Sequence, residues 1–267
     1  MSGLPTPPFD DVAAWSWQVL DVGSGTVVAE RDPDRLLRTA SVGKVFLLLE
    51  VAARLADGRL RPDDLVSRAS TPPVADSGLW QHLVVDALPV ADAARLVGAV
   101  SDNLATNVLL ERVGLEAVQA RARQVAPGGS QLHDLVRNGR GPEHPPTLST
   151  GCARDLASLV ARLERSEVLG EPVDGRVRDW LSCSVDLSMV AAPLAVDPLV
   201  HADEAGPVAV WNKTGTDRGV RADVGVVRDG RRSVAYAVLC NWPQDVLGGA
   251  SARDVLAFMS EVGSTLL

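Results

Sequence analysis

Hydrophobic residues alternate with polar ones near the amino terminus, and further along they follow a helical period. Residues 14–20 and 26–30 alternate as strands do, and residues 21–25 between them have the composition of a hairpin turn. The stretch that begins at Ser41 is apolar on nearly every side, which is typical of a buried helix, and Gly58 marks its end. The first part of the chain therefore predicts a strand pair followed by one buried helix.

The centre of the chain, from residue 60 to about residue 202, has apolar residues at helical spacing. The clearest predicted helices are 90–97, 103–110, 153–163 and 176–181. Between the second and third of these, residues 127–146 contain four prolines and four glycines without a clear period. An irregular loop of this length inside a compact domain is usually functional.

Strand-like alternation returns after residue 207. Three further strands are predicted at 208–214, 222–227 and 233–240, with Asp229-Gly230 as the turn before the last, and a closing helix at 250–262. Strands at both ends of the chain around a helical middle predict a mixed α/β (α+β) fold. We expect one antiparallel five-stranded sheet flanked by helices, with an all-helical domain inserted.

This pattern also predicts a domain organisation. Residues 1–11 are proline-rich and acidic, and we expect a flexible tail there. Residues 12–58 and 203–267 would form a discontinuous sheet domain, and residues 59–202, with the loop 127–146, would form the helical domain. An active cleft is expected between the two domains.

Composition narrows the possible functions. A net charge of −8 and a pI near 5.0 argue against nucleic-acid and anionic-membrane surfaces. The four histidines lack metal-binding spacing, so we expect no metal and no cofactor. The amino terminus does not resemble a signal peptide, which predicts a cytoplasmic protein. In an intracellular chain we expect the three cysteines to be free.

Lysine is scarce in this chain, and its placement suggests chemistry. Of the 26 basic residues only Lys44 and Lys213 are lysines. Unlike arginine, a buried lysine can lose its proton and act as a base. Ser41 lies three residues before Lys44, which places both on one helix face as a candidate nucleophile and base. The alternative is that S-x-x-K is a common tetrapeptide in which Ser41 only caps the helix.

Two further tripeptides complete the candidate site. Ser101-Asp102-Asn103 begins a predicted helix, and Lys213-Thr214-Gly215 lies on a predicted strand. Each has a structural alternative, because the first contains good capping residues and the second suits an ordinary strand end. The three motifs together, in the order S-x-x-K, S-D-N and K-T-G, use both lysines of the chain.

With these motifs the chain resembles the active-site serine penicillin-recognising family, and most closely the class A β-lactamases. The resemblance extends over nearly the whole chain. It implies a β-lactamase/transpeptidase-like fold and hydrolysis of a β-lactam through an acyl-enzyme on Ser41. It also implies a small-molecule substrate with a carboxylate, and we expect a monomer.

The resemblance implies a role for each motif residue. The catalytic residues would be Ser41 as nucleophile, Lys44 as acceptor of its proton and Ser101 as donor to the leaving nitrogen. Lys213, Thr214 and Arg221 would bind the substrate carboxylate, and the Asn103 amide would bind its side chain. The backbone N–H groups of Ser41 and Thr216 would bind its carbonyl oxygen. Gly215 would leave room for the substrate beside the strand, and Trp80 would form the rim of the cleft.

The chain departs from the family at the residue that activates the deacylating water. Class A enzymes carry an E-x-x-x-N sequence in the loop between the second and third motifs, and no such glutamate is present here. Asp134 and Asn138 have the same spacing, so Asp134 is the candidate base. Its side chain is one methylene shorter, which predicts slow deacylation. Alternatively, Asp134 is a solvated loop residue, and His133 or Glu143 lies equally near.

Two other functions stay open at the level of sequence. Family lactamases are normally exported, whereas this amino terminus shows no leader. A cytoplasmic location favours an esterase or acyl transferase of the same family. The missing glutamate favours a β-lactam-binding protein that is acylated without turnover.

Overall fold

The computed structural model describes residues 6–199, 208–247 and 251–266. The strands are β1 Ala14–Asp21, β2 Val27–Arg31, β3 Leu37–Arg38, β4 Leu65–Ser67, β5 Ala87–Pro89, β6 Gln131–Leu132, β7 Ser149–Gly151, β8 Ala209–Asp217, β9 Val220–Arg228 and β10 Ser233–Asn241. The helices are α1 Lys44–Ala56, α2 Val90–Val100, α3 Asn103–Val113, α4 Leu115–Val125, α5 Ala153–Glu164, α6 Glu171–Leu181, α7 Gln244–Leu247 and α8 Ser251–Gly263.

The predicted five-stranded antiparallel sheet is confirmed. Its strand order is β2-β1-β10-β9-β8, so the strands from the two ends of the chain pair at β1 and β10. Each predicted strand lies within or overlaps an observed one, and β8 forms one edge of the sheet. Strand β8 carries the third motif, and the open edge faces the turn that carries Ser41, since Gly215 approaches the backbone of Thr39.

Helices cover both faces of the sheet. On one face α5 packs against β10, β1 and β9. On the other face α8 places Phe258 against two tryptophans of β1, with ring centroids 4.7 Å from Trp15 and 5.4 Å from Trp17. Strand β1 is buried on both faces, because α5 and α8 pack on opposite sides of it.

Helix α1 lies at the centre of the helical layer. Its residues 45–52 are almost entirely inaccessible to solvent, as their apolar run predicts. The helix packs against α6, α4 and α3. It therefore contacts the helical domain, although the predicted boundaries assign residues 12–58 to the sheet domain. Conversely, α5 packs on the sheet although it lies within 59–202. The two-domain division stays a prediction.

Several elements differ from their predicted bounds. Helix α4 and the short strands β3 to β7 were not predicted from the pattern. Helix α6 begins five residues earlier than expected, after Gly170 at φ 89° and with Pro172 in its first turn, a position that proline favours. The predicted closing helix matches α8, although Ala250 lies outside the described residues, as do residues 1–5 and 203–207 of the predicted domains.

The loop 127–146 is partly ordered by the residues that follow it. Strand β6 within this loop pairs with β7. The Asp155 carboxylate at the start of α5 accepts the backbone N–H groups of Gly128 at 3.0 Å and Ser130 at 3.2 Å. The loop is thereby held against the turn before α1. Among the described residues, no helix has the length and apolar character that crossing a membrane requires.

Candidate active site

Ser41 lies on a tight turn immediately before helix α1. Residues 40–43 form a single 3-10 turn, and Ala40 has a left-handed conformation with φ 47°. The Ser149 hydroxyl donates to the Ala40 carbonyl and lies 2.8 Å from the Thr39 hydroxyl. Such backbone geometry is strained for alanine and persists only when its surroundings hold it. The turn therefore fixes Ser41, which is partly exposed to solvent.

Lys44 is completely buried at the start of α1. Its ammonium nitrogen donates to the Ser101 carbonyl at 2.7 Å, to Asn103 Oδ1 at 2.7 Å and to Ser101 Oγ at 3.3 Å. Burial lowers the pKa of Lys44 well below its usual value, and the nearby charge of Lys213 lowers it further, while Asp102 acts in the opposite direction. Lys44 is therefore predisposed to accept a proton.

Ser101 joins the two lysines. It ends α2 in a left-handed conformation, with φ 55°, which turns its hydroxyl between the helices and the sheet. Its Oγ accepts hydrogen bonds from Lys44 at 3.3 Å and from Lys213 at 3.0 Å. The two lysines of the chain thus converge on the Ser101 hydroxyl, and no hydrogen bond among the described residues joins Lys44 Nζ directly to Ser41.

Asp102 and Asn103, the other two residues of the S-D-N motif, position Ser101. Asp102 caps α3 by accepting the Ala105 N–H at 2.8 Å, and its second oxygen accepts the N–H groups of Leu79 and Trp80 at 2.7 and 2.8 Å. Asn103 accepts from Lys44 and donates to the Ala75 carbonyl at 2.8 Å. The capping alternative therefore holds for Asp102, while Asn103 keeps one amide hydrogen available for a ligand.

Lys213 and Thr214 are buried on strand β8. Lys213 Nζ donates to Ser101 Oγ and, at 2.8 Å, to the Thr214 carbonyl. Burial lowers the pKa of Lys213 to about 8, although the charges of Asp186 and Asp223 oppose this change. Lys213 therefore carries its positive charge below pH 8, and this charge acts on Lys44.

Gly215 allows strand β8 to approach the turn that carries Ser41. A Cβ atom at this position would lie 2.1 Å from the Thr39 carbonyl oxygen and 3.2 Å from the Ser41 nitrogen. The sequence predicts that Gly215 leaves room for substrate, but the space is occupied by the backbone of the protein itself. The next residue, Thr216, is exposed beside Ser41 at the open edge of the sheet.

Two adjoining pockets meet at Ser41. Both also contain Ser77 and Thr216. The first extends towards the lysine side and is lined by Ser101, Val185, Asp186, Lys213 and Thr214. The second extends towards the loop and is lined by Asp76, Asn103, Val136, Arg137, Arg140 and Asp217. Most predicted motif residues thus surround one crevice beside the predicted nucleophile.

Asp134 is engaged by its own loop. Its carboxylate accepts Arg137 Nε at 2.7 Å, Arg140 at 2.6 Å and the Leu135 N–H at 2.8 Å. Burial disfavours its charge, but these hydrogen bonds outweigh burial and lower the pKa of Asp134. Asn138 bonds instead to the backbone of Pro73 and Ala75, so the expected Asp–Asn contact does not form.

The water-activating role of Asp134 stays a prediction, and this geometry does not favour it. Asp134 does not line either of the two pockets at Ser41, whereas its partners Arg137 and Arg140 line the second. The His133 ring contacts the Thr150 hydroxyl of β7 at 2.8 Å, and Glu143 contacts His144. The loop therefore presents guanidinium groups to Ser41 where the family motif would present a carboxylate.

The prediction that Trp80 forms a rim of the cleft is wrong. Its side chain is fully buried, and its indole N–H donates to the Val85 carbonyl at 3.0 Å. Arg221 donates to the carbonyls of Val220 and Asp217, and its guanidinium lies 5.7 Å from the Trp242 ring. Its role at the substrate carboxylate stays a prediction.

Sequence reasoning missed the residues that line the crevice from outside the motifs. Arg137 and Arg140 follow Asp134 by three and six residues, so this spacing could have predicted ion pairs within the loop. Asp186 lies in an irregular segment after α6, and no local pattern marks it. Its place beside Lys213 depends on tertiary contacts such as the hydrogen bond from the Asn212 side chain to its carbonyl.

Comparisons with known proteins show the family of this chain. The profile of the Beta-lactamase enzyme family matches residues 10–267. The chain therefore belongs to this family. The comparison with curated protein sequences finds no match.

Solved structures show the same fold. A β-lactamase from Sphaerobacter thermophilus is 21% identical with a TM-score of 0.78, covering 94% of this chain and 89% of that one. The ancestral class A β-lactamase GNCA is 23% identical with a TM-score of 0.77, covering 94% and 92%. PBP-A is 19% identical with a TM-score of 0.75, covering 96% and 91%. The expected β-lactamase/transpeptidase-like fold is thus confirmed.

Proposed function

We propose that this protein is a serine hydrolase of β-lactams that forms an acyl-enzyme on Ser41 and releases it slowly. The observation that carries the proposal is the convergence of Lys44 and Lys213 on Ser101, beside a partly exposed Ser41 in a crevice. A nucleophilic serine needs a nearby base and donors directed at the oxyanion. The substrate is proposed to be a small molecule.

Acylation is proposed to pass one proton from Ser41 to Lys44 and another from Ser101 to the leaving group. The Ser41 oxygen attacks the lactam carbonyl carbon while its proton passes to neutral Lys44. The C–N bond of the ring then breaks, and the leaving nitrogen receives a proton from Ser101, which Lys44 replaces through their 3.3 Å contact. The backbone N–H groups of Ser41 and Thr216 are proposed to stabilise the oxyanion.

Slow deacylation follows from the charges on the loop side of the crevice. Hydrolysis of an acyl-serine needs a base that removes a proton from water. The Asp134 carboxylate is saturated by donors, and Arg137 and Arg140 face this pocket instead. A guanidinium cannot act as a base at neutral pH. The acyl-enzyme is therefore expected to persist for much longer than the time it needs to form.

One experiment tests both steps. The purified protein is mixed with a chromogenic cephalosporin, while colour and intact mass are followed together, with Ser41→Ala as the matched control. We expect a burst of colour close to one equivalent, a persistent adduct and still slower further turnover. Absence of both colour and adduct in the unaltered protein would overturn the proposal, as would an equal burst in Ser41→Ala.

A second candidate function is acyl transfer to an acceptor other than water. The two arginines of the loop favour it, because they would bind an anionic acceptor beside the acyl-serine. PBP-A, which shares the fold, has a variant whose structure is an acyl-enzyme complex with penicillin G. Faster loss of the adduct when amino acids or hydroxy acids are added would favour transfer, and loss that is independent of acceptor would exclude it.

A further inference from the structure

An acidic side chain of the protein occupies the end of the crevice where a substrate carboxylate is expected. Asp186 lines the first pocket together with Lys213 and Thr214. Three hydrogen bonds hold it there. Its carboxylate accepts the Ser188 hydroxyl at 2.6 Å and the Ser188 N–H at 3.2 Å, and its carbonyl accepts the Asn212 side chain at 3.2 Å. Asp186 is thus fixed beside strand β8.

Asp186 uses the groups that would otherwise bind a substrate anion. Although burial disfavours its charge, hydrogen bonds from Ser188 and Thr214, and the charge of Lys213, hold the pKa of the Asp186 carboxyl below its usual value. The negative charge of Asp186 also acts on Arg221, the third predicted carboxylate ligand. The predicted carboxylate ligands therefore already lie near a negatively charged side chain.

The remaining charges around this pocket do not restore an anion site. Lys213 is the one lysine on its wall, and its ammonium donates to Ser101 and to the Thr214 carbonyl. Asp223 lies behind Lys213 on β9 and also attracts it. A substrate carboxylate in this pocket would face the negative charge of Asp186, and like charges repel.

We propose that Asp186 determines substrate selectivity, so that the lysine side of the crevice accepts a neutral or hydrogen-bond-donating group and disfavours a carboxylate. This inference rests on the proposed acylation of Ser41 and specifies its substrate class. The class is an uncharged or amine-bearing acyl donor, such as a neutral lactam or an ester. A free hydroxyl or amine of the substrate would donate to Asp186, as Thr214 does in the structure.

The test compares two acyl donors that differ only in this charge, benzylpenicillin and its methyl ester. The second-order rate of adduct formation on Ser41 is measured by intact mass for each compound. In Asp186→Asn, which keeps the size and one acceptor oxygen, the ratio of the rates for acid and ester should rise by about tenfold or more. Asp92→Asn removes an exposed charge at the far end of α2 and should leave the ratio unchanged.

Two further variants separate selectivity from folding. Asp186→Ser removes the charge without an amide in the pocket and should raise the same ratio. Ser188→Ala keeps the charge, so its ratio should stay close to that of the unaltered protein. A ratio that does not change in either Asp186 variant would overturn the inference while leaving acylation intact. Failure of both compounds to acylate the unaltered protein would overturn the proposed function, and this inference with it.

Discussion

Lys213 should control the pH at which Lys44 can accept a proton, and Lys213→Met tests this directly. Both amines hydrogen-bond to the Ser101 hydroxyl, at 3.3 and 3.0 Å, so the two nitrogens are at most about 6 Å apart. At an effective dielectric constant of about 20, two unit charges at about 6 Å repel each other by about 3 kcal/mol. Because about 1.4 kcal/mol is a factor of ten, losing this charge should lower the ratio of neutral to protonated Lys44 about a hundredfold at a fixed pH.

The sign of the effect follows from the charges. The positive charge of Lys213 lowers the pKa of Lys44, so its removal raises that pKa, and the base becomes neutral only at higher pH. The effect is confined to pH values below about 8, where Lys213 still carries its proton. The acidic limb of the acylation rate should therefore move to higher pH in Lys213→Met.

The assay is the rate of Ser41 acylation between pH 5 and about pH 9, measured by intact mass after rapid quenching. Lys213→Arg is the matched control, because it keeps the positive charge and should keep the acidic limb in place even if the overall rate falls. Loss of substrate contacts would lower the rate equally at every pH. An acidic limb at the same pH in Lys213→Met and in the unaltered protein would refute the electrostatic coupling.

Three other predictions follow from single side chains. Asp134→Asn should lower the free energy of unfolding by about 2–3 kcal/mol in urea titration, because two guanidinium groups lose their partner. The lifetime of the acyl-enzyme should change less than about threefold. A trapped adduct would contradict this and establish Asp134 as the base. Gly215→Ala should slow acylation by about a hundredfold or more, because its Cβ would lie 2.1 Å from the Thr39 oxygen, and a normal rate would show that β8 need not approach the turn. Burial, followed by the charge of Asp186, raises the pKa of Asp223 from 3.8 to about 7, so the folded state retains a proton that the unfolded chain releases. Stability should then fall by about 4 kcal/mol between about pH 4 and about pH 7, and Asp223→Asn should remove this part of the slope in urea titrations across that range.

The periodicity of the sequence was sufficient for the sheet and for the buried helix α1. These elements are specified locally, because strand alternation and an all-apolar helix depend on short stretches of chain. Helix α4 was missed, since only Gly114 separates it from α3 and its apolar residues are interspersed with charged and amide side chains. The short strands β3, β6 and β7 depend on pairing between distant segments, which no local pattern records.

The candidate site was predicted to a similar extent. The scarcity of lysine identified Lys44 and Lys213, and their convergence follows from the fold. The sequence could not show which hydrogen-bonding partners each side chain has within the folded protein. Asp134 has the spacing of a catalytic residue but bonds to its own loop. Trp80 lies in the core, where its backbone N–H donates to the buried Asp102 carboxylate. Both outcomes depend on tertiary contacts rather than on spacing.

The most direct test of this account is the location of the covalent adduct. After brief exposure to a neutral β-lactam ester, the protein is digested and its peptides are mapped by mass spectrometry. We expect the peptide containing Ser41 to gain the full mass of the β-lactam, and Lys44→Met to reduce this modification greatly. Modification of another residue, or hydrolysis of the β-lactam in Ser41→Ala at the rate of the unaltered protein, would contradict it.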